Sequence, residues 1–310
     1  MALFRSSLDR IFRPFAPRRE HQPRGSGKDG KVTLRWLGTA SHVISTASTT
    51  VLVDPFVSRP GFVALATRRL VPDEGAIARW IPEKVDAIVC GHSHYDHVLD
   101  APRIAKLRGA KLIGSRSTCL WGRAAGVPDA QLVEVPAAGG LVQVGDVEIE
   151  LVPSRHGKAV LGRVPLPGEV KQLPITPSGR IFHYRMGGAY GVLVRAGGLS
   201  IYHNGSADLI DAELVGKKAD VLLACLAGRK GTERYLPRLV DALAPKLIIP
   251  THHDSFFAPL EDGPRLLPFI DVEGFISEAH VYAKQASVIA MGYTDEVAVF
   301  EDARASLITE

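Results

Sequence analysis

From about residue 31 onward, short apolar runs of strand length alternate with polar, Gly- and Pro-rich stretches. KVTLRWLG, beginning at Lys31, alternates polar and apolar positions as a half-buried strand does. TTVLVDPF is β-branched and apolar, and Pro55 turns the chain because proline cannot donate to a central ladder. Val85–Cys90 reads as a buried strand that empties into GHSHYDH. Pro102–Arg108 predicts a helix with Asp100 as its cap, Lys111–Ile113 a strand, Ser117–Ala125 a helix and Leu132–Val135 a strand. A hairpin-like stretch over Val142–Pro153 leads into Ser154-Arg155-His156.

The second half repeats this logic. Strands are predicted at Ala189–Val194, Ser200–His203, Asp220–Cys225 and Lys246–Ile249, and a helix at Tyr235–Ala242. The last strand runs into Pro250-Thr251-His252-His253. Gly61–Pro82 reads as a loop-and-helix insert, and Gly157–Gly188 as a long lid or binding loop. Buried strands alternating with helices in both halves predict an α/β fold with two packed sheets and helices outside them. Residues 1–30 read as a basic, flexible extension and residues 31–310 as a single domain.

Composition narrows the class. The chain has 310 residues, 46% hydrophobic and 23% charged, which is ordinary for a globular enzyme. No apolar run reaches the roughly 20 residues that span a bilayer. The net charge of +4 owes much to the extension, with Arg5, Arg10, Arg13, Arg18, Arg19, Arg24 and Lys28. Leu3, Phe4, Leu8, Ile11 and Phe12 fall near helical spacing, which leaves peripheral membrane contact through this segment open beside the flexible reading. The three cysteines, Cys90, Cys119 and Cys225, show no paired spacing. Buried thiols in a reducing, cytoplasmic compartment fit best.

The strongest chemical signal is Gly91-His92-Ser93-His94-Tyr95-Asp96-His97. In extended backbone, His92 and His94 point to the same side and can face one cation. A turn after His94 lets Asp96 and His97 face a second. Imidazole and carboxylate donors suit zinc, with manganese, iron and nickel as alternatives. Further donors stand after later strands: His156, Asp208 and the His252–His253 pair. Other histidines, such as His21, His42 and His280, need no special explanation.

These blocks resemble the metallo-β-lactamase superfamily, and within it the branch of L-ascorbate-6-phosphate lactonase and N-acyl-phosphatidylethanolamine phospholipase D. The resemblance rests on VTLRWLGTASHVI, TTVLVDPF, GHSHYDH, IYHNGSADL and LIIPTHHDSF in that order. It implies a four-layer αββα sandwich and two divalent metal ions. His92, His94 and His156 would hold the first ion, and Asp96, His97 and His252 the second. It also implies a bridging carboxylate near Gly205. Ser206 stands where that acid is expected, and Asp208 is the nearest carboxylate. His203, His253 and Asp254 are then candidates for the groups behind the ligands.

The implied chemistry is hydrolysis by a metal-activated water on a small ester, lactone or phosphodiester, with Asp96 moving a proton. No G-x-S-x-G or P-loop offers a competing mechanism. Arg59, Arg155, Lys158 and Arg185 are candidates for holding an anionic group, and His183, Tyr184 and His253 for lining the pocket. A nucleic-acid-processing or noncatalytic metal protein of the same fold is the alternative. It calls for a basic stripe that the chain lacks, so no nucleic-acid partner is expected. The apolar insert around Phe62–Leu70 leaves a membrane-lipid substrate open as a third case.

Overall fold

The computed structural model describes residues 12–23 and 30–308. One sheet is built from β1 (Val32–Trp36), β2 (His42–Ser45), β3 (Thr50–Val53), β4 (Ala87–Val89), β5 (Lys111–Gly114) and β6 (Leu132–Glu134). The other takes β7 (Gly140–Val144), β8 (Val147–Pro153), β9 (Tyr190–Ala196), β10 (Leu199–Asn204), β11 (Val221–Cys225), β12 (Leu247–Thr251) and β13 (Ser287–Val288). The chain then returns to the first sheet with β14 (Glu296–Val299) and β15 (Ala305–Leu307), giving the order β15-β14-β1-β2-β3-β4-β5-β6 beside β13-β12-β11-β10-β9-β8-β7.

The period-two alternation of each strand decides the layering. Val51, Val53, Ala87, Val89 and Ile113 point between the sheets, where they meet Val192, Val194, Val221, Leu223, Leu247 and Ile249. Their neighbours Leu52, Ile88 and Leu112 point the other way, onto the helical layer that contributes Leu65, Ile77, Ile104 and Trp121. Leu222, Ala224 and Ile248 do the same on the far side, against Leu236, Leu239, Phe275 and Ile276. Strands buried on both faces read as continuous apolar runs, which is why they stood out in the sequence. The result is the αββα sandwich.

The helices of the first layer are α1 (Phe62–Thr67), α2 (Glu74–Trp80), α3 (Tyr95–Val98), α4 (Ala101–Arg108) and α5 (Arg116–Ala124). Those of the second are α6 (Asp211–Leu214), α7 (Tyr235–Leu243) and α8 (Val272–Tyr282). Among the described residues no helix is long and apolar enough to cross a membrane.

Two expectations are corrected here. Asp100 does not cap α4 with its side chain. It turns inward and accepts the amides of Val57 (2.6 Å) and Ser58 (2.9 Å) and the Ser58 hydroxyl (2.5 Å). The extension is also not free up to residue 30. Phe15 N–H donates to the Pro264 carbonyl, Leu266 N–H to Arg13 and Ala290 N–H to His21, each at 2.8 Å. Residues 12–23 thus form a strap whose backbone is held by the body. The amphipathic run Leu3–Ile11 lies outside the described residues.

Candidate metal centre

The strands of both sheets deliver polar residues to one rim. β3 leads into Asp54, β4 into His92, β8 into His156, β10 into Gly205 and β12 into His252. His94 begins α3, and that short turn brings Asp96 and His97 round to the same side. Asp54, Ala207 and His252 all adopt left-handed backbone, with φ of 46°, 58° and 55°. Such φ values are costly for non-glycine residues and concentrate where function fixes the chain.

Two triads result: His92, His94 and His156, and Asp96, His97 and His252. In each, one donor atom per residue lies within 4.8 Å of the other two. In the first, the His92 ring centroid stands 4.6 Å from His94 and 4.9 Å from His156. In the second, His97 Nε2 and His252 Nε2 are 3.3 Å apart, and Asp96 Oδ2 lies 3.6 Å from the former and 3.4 Å from the latter. The His92 and His97 rings, 3.7 Å apart, join the triads.

The outer nitrogens are anchored by the chain itself. His156 Nδ1 lies 2.7 Å from the Gly157 carbonyl, which leaves Nε2 to the centre. Leu166 and Pro165 carbonyls hold the His94 ring, and His94 Nε2 has no protein partner. His92 leaves both ring nitrogens unpartnered while almost fully buried. Burial and the neighbouring imidazoles push His92 well below its ordinary value, and burial takes His94 and His156 down to about 4. Neutral imidazoles with free lone pairs are metal donors. Burial opposes the Asp96 charge, but His97 and His252 outweigh it and hold the carboxyl well below the usual range. The residues therefore fit divalent cations.

The most consequential residue that the sequence reading left without a role is Asp54. Its Oδ1 accepts the Gly91 amide at 2.7 Å, and its Oδ2 faces His97 Nδ1 at 2.9 Å. Gly91 packs closely here, since a Cβ would come within 3.1 Å of the Tyr190 carbonyl. The available signal was an acid directly after an apolar strand and before a proline.

Several expected site residues stand elsewhere. Asp208 follows left-handed Ala207 (φ 58°) and is not among the residues whose donor atoms gather in the two triads. Its Oδ1 accepts the Leu209 amide at 2.8 Å and lies 3.9 Å from Arg238. Arg59 is fully buried with its guanidinium engaged inside the protein: its Nη2 donates to Asp254 Oδ2 at 2.8 Å and its Nη1 to Tyr293 at 2.7 Å. Asp254 accepts the Thr39 amide with its other oxygen and so braces the loop after β12 rather than a ligand histidine. His253 is packed between Trp36 (4.8 Å) and Phe15 (4.9 Å), and burial pushes its ring down to about 4. His183 is exposed and its Nδ1 accepts the Arg180 amide. Tyr184 is buried and stacks on Trp121 at 4.4 Å. His203 is buried with Nδ1 3.7 Å from Asp54 Oδ2, behind His97.

The Gly157–Gly188 segment does cover the centre. Met186 accepts the Ser93 amide, and the Leu166 carbonyl accepts the Met186 amide while meeting His94.

A family model described as a beta-lactamase superfamily domain matches residues 33–252. The chain belongs to the metallo-β-lactamase superfamily. This superfamily member is 31% identical to a UPF0173 metal-dependent hydrolase of Anaeromyxobacter dehalogenans (strain 2CP-C), over 73% of this chain and 76% of that one. It is 26% identical to a UPF0173 metal-dependent hydrolase of Methanopyrus kandleri, over 74% of this chain and 87% of that one. Among solved structures, the metallo-beta-lactamase fold protein YhfI of Bacillus subtilis shares the fold at TM-score 0.55 and 12% identity, over 86% of this chain and 99% of that one. A metallo hydrolase of Ignicoccus hospitalis does so at 0.53 and 17%, over 86% and 97%. With its curated relatives, this superfamily member is a metal-dependent hydrolase.

Proposed function

We propose that the chain is a dinuclear hydrolase of a small ester, lactone or phosphodiester, with zinc as its metal. The observation that supports this reading is the pair of adjoining triads, in which His92 and His94 present ring nitrogens with no protein partner and His97, His252 and Asp96 converge their donor atoms within 3.3–3.6 Å of one another. Divalent cations held there would lower the pKa of a bound water to about 7 and polarise the substrate oxygen. His92, His94 and His156 hold one side of the centre, and Asp96, His97 and His252 the other. Asp54 fixes the His97 ring so that Nε2 points inward. Asp96 orients the nucleophile and passes its proton to the leaving group. The 157–188 segment keeps bulk water from His94. His156, the member with intermediate exposure, marks the side from which substrate enters.

The resemblance to lactonases and phospholipase D enzymes sets the substrate panel. Buried, unpaired Cys90, Cys119 and Cys225 support a cytoplasmic setting. The test is metal analysis of purified protein followed by turnover of lactones, phosphodiesters and phosphomonoesters by wild type and His94→Ala. Turnover of a lactone, ester or phosphodiester that His94→Ala abolishes is expected. Full activity in His94→Ala, at unchanged metal content, overturns the assignment.

A further inference from the structure

We propose that the two triads bind their cations unequally, the Asp96, His97 and His252 site tightly and the His92, His94 and His156 site weakly, because no side chain among the described residues bridges them. The inference rests on the metal-centre reading above.

The chain between the triads is the turn after β10. Gly205 lies against the second triad's support, since a Cβ there would meet Asp54 Oδ2 at 2.9 Å, and that oxygen faces His97. Two residues on, Ala207 pairs with His156 of the first triad. Residue 206 therefore sits at the junction, and it is a serine. Its hydroxyl donates to the Arg155 carbonyl at 2.9 Å, and its own carbonyl accepts the Gly157 amide. It brings no charge.

The nearby carboxylates are committed elsewhere. Asp54 holds Gly91 and His97, Asp100 holds Val57 and Ser58, Asp208 faces Arg238, and Asp254 faces Arg59. Among the six donors, Asp96 alone is anionic. Two neighbouring dications repel one another strongly at low local dielectric unless an anion lies between them. The cation beside Asp96 is offset by that carboxylate and by a His97 ring backed by Asp54. The cation among three neutral imidazoles has neither. Filling the His92, His94 and His156 site then depends on an anion from solution.

Calorimetric titration of zinc chloride into the metal-free full-length chain tests this. Two steps are expected, one equivalent each, with the second at least about tenfold weaker. Ser206→Asp, which places a carboxylate at the junction, brings the second step close to the first, and Ser206→Ala leaves the isotherm as it was. His252→Ala removes the tight step and His94→Ala the weak one, an assignment that stands on its own should Ser206→Asp fail to fold. Two equal tight steps in wild type, or the reverse assignment of the steps, overturns the proposal. No zinc uptake by any form overturns both it and the metal-centre reading.

Discussion

His97 Nδ1 stands 2.9 Å from Asp54 Oδ2, both side chains almost fully buried, so that an acid at the end of β3 sets the direction of an imidazole on α3. Burial opposes protonation of that ring, but the Asp54 and Asp96 carboxylates raise it above its ordinary value. An oxygen acceptor behind a ligating histidine fixes the tautomer and strengthens the donor. Losing such a partner usually costs about 10–100-fold in metal affinity. Asp54→Asn is expected to weaken zinc binding by that order, read by competition with a chromophoric chelator. Unchanged affinity removes Asp54 from the centre.

Asp208→Ala tests whether the carboxylate in the turn after β10 serves the centre. Its side chain faces Arg238 and the Leu209 amide, so zinc content and affinity should match wild type. A drop in bound zinc shows instead that Asp208 reaches the centre in solution.

Arg59 and Asp254 form a fully buried ion pair that ties the chain after β3 to the loop after β12. Removing one partner strands a buried charge. Arg59→Ala should therefore cost about 3–5 kcal/mol in urea unfolding. A loss below about 1 kcal/mol means that solvent reaches the pair.

His42 is buried, and burial lowers its pKa from 6.5 to about 4. The unfolded chain therefore takes up a proton between those values while the folded chain does not. Stability is fully present above pH 6.5 and falls as the pH drops toward 4, by about 2 kcal/mol at pH 5 for this one ring. His42→Asn should flatten that slope in the unfolding free energy of metal-free protein between pH 7 and 5. An unaltered slope assigns the acid sensitivity to other groups.

Tyr184 anchors the covering segment by stacking on Trp121, with its hydroxyl accepting the Gly179 amide at 3.3 Å. Tyr184→Ala should speed amide exchange within 157–188 while leaving the sheets protected. Equal protection of that segment shows that its bonds to Ser93 suffice.

The sandwich was legible because doubly buried strands such as Val221–Cys225 and Leu247–Thr251 leave unbroken apolar runs. The C-terminal return was not. β13 to β15 are two to four residues long, too short to carry a period, and their place is set by pairing of β13 with β12, β14 with β1 and β15 with β14. The histidine cluster and the loop over it stood out through residue type and composition. Asp54, by contrast, acts through a ring 43 positions away, a relationship that only the folded geometry expresses. Arg59 and His253 misled for the opposite reason. Both stand in stretches that follow strands leading to the site and so read as pocket residues, whereas partners brought by the fold bury both away from any ligand.

The centre itself is tested most directly by anomalous diffraction at the zinc edge from crystals grown with zinc. A strong peak among Asp96, His97 and His252 and a weaker one among His92, His94 and His156 is the expected result. Zinc bound only elsewhere on the molecule, with no density at either triad, would contradict it.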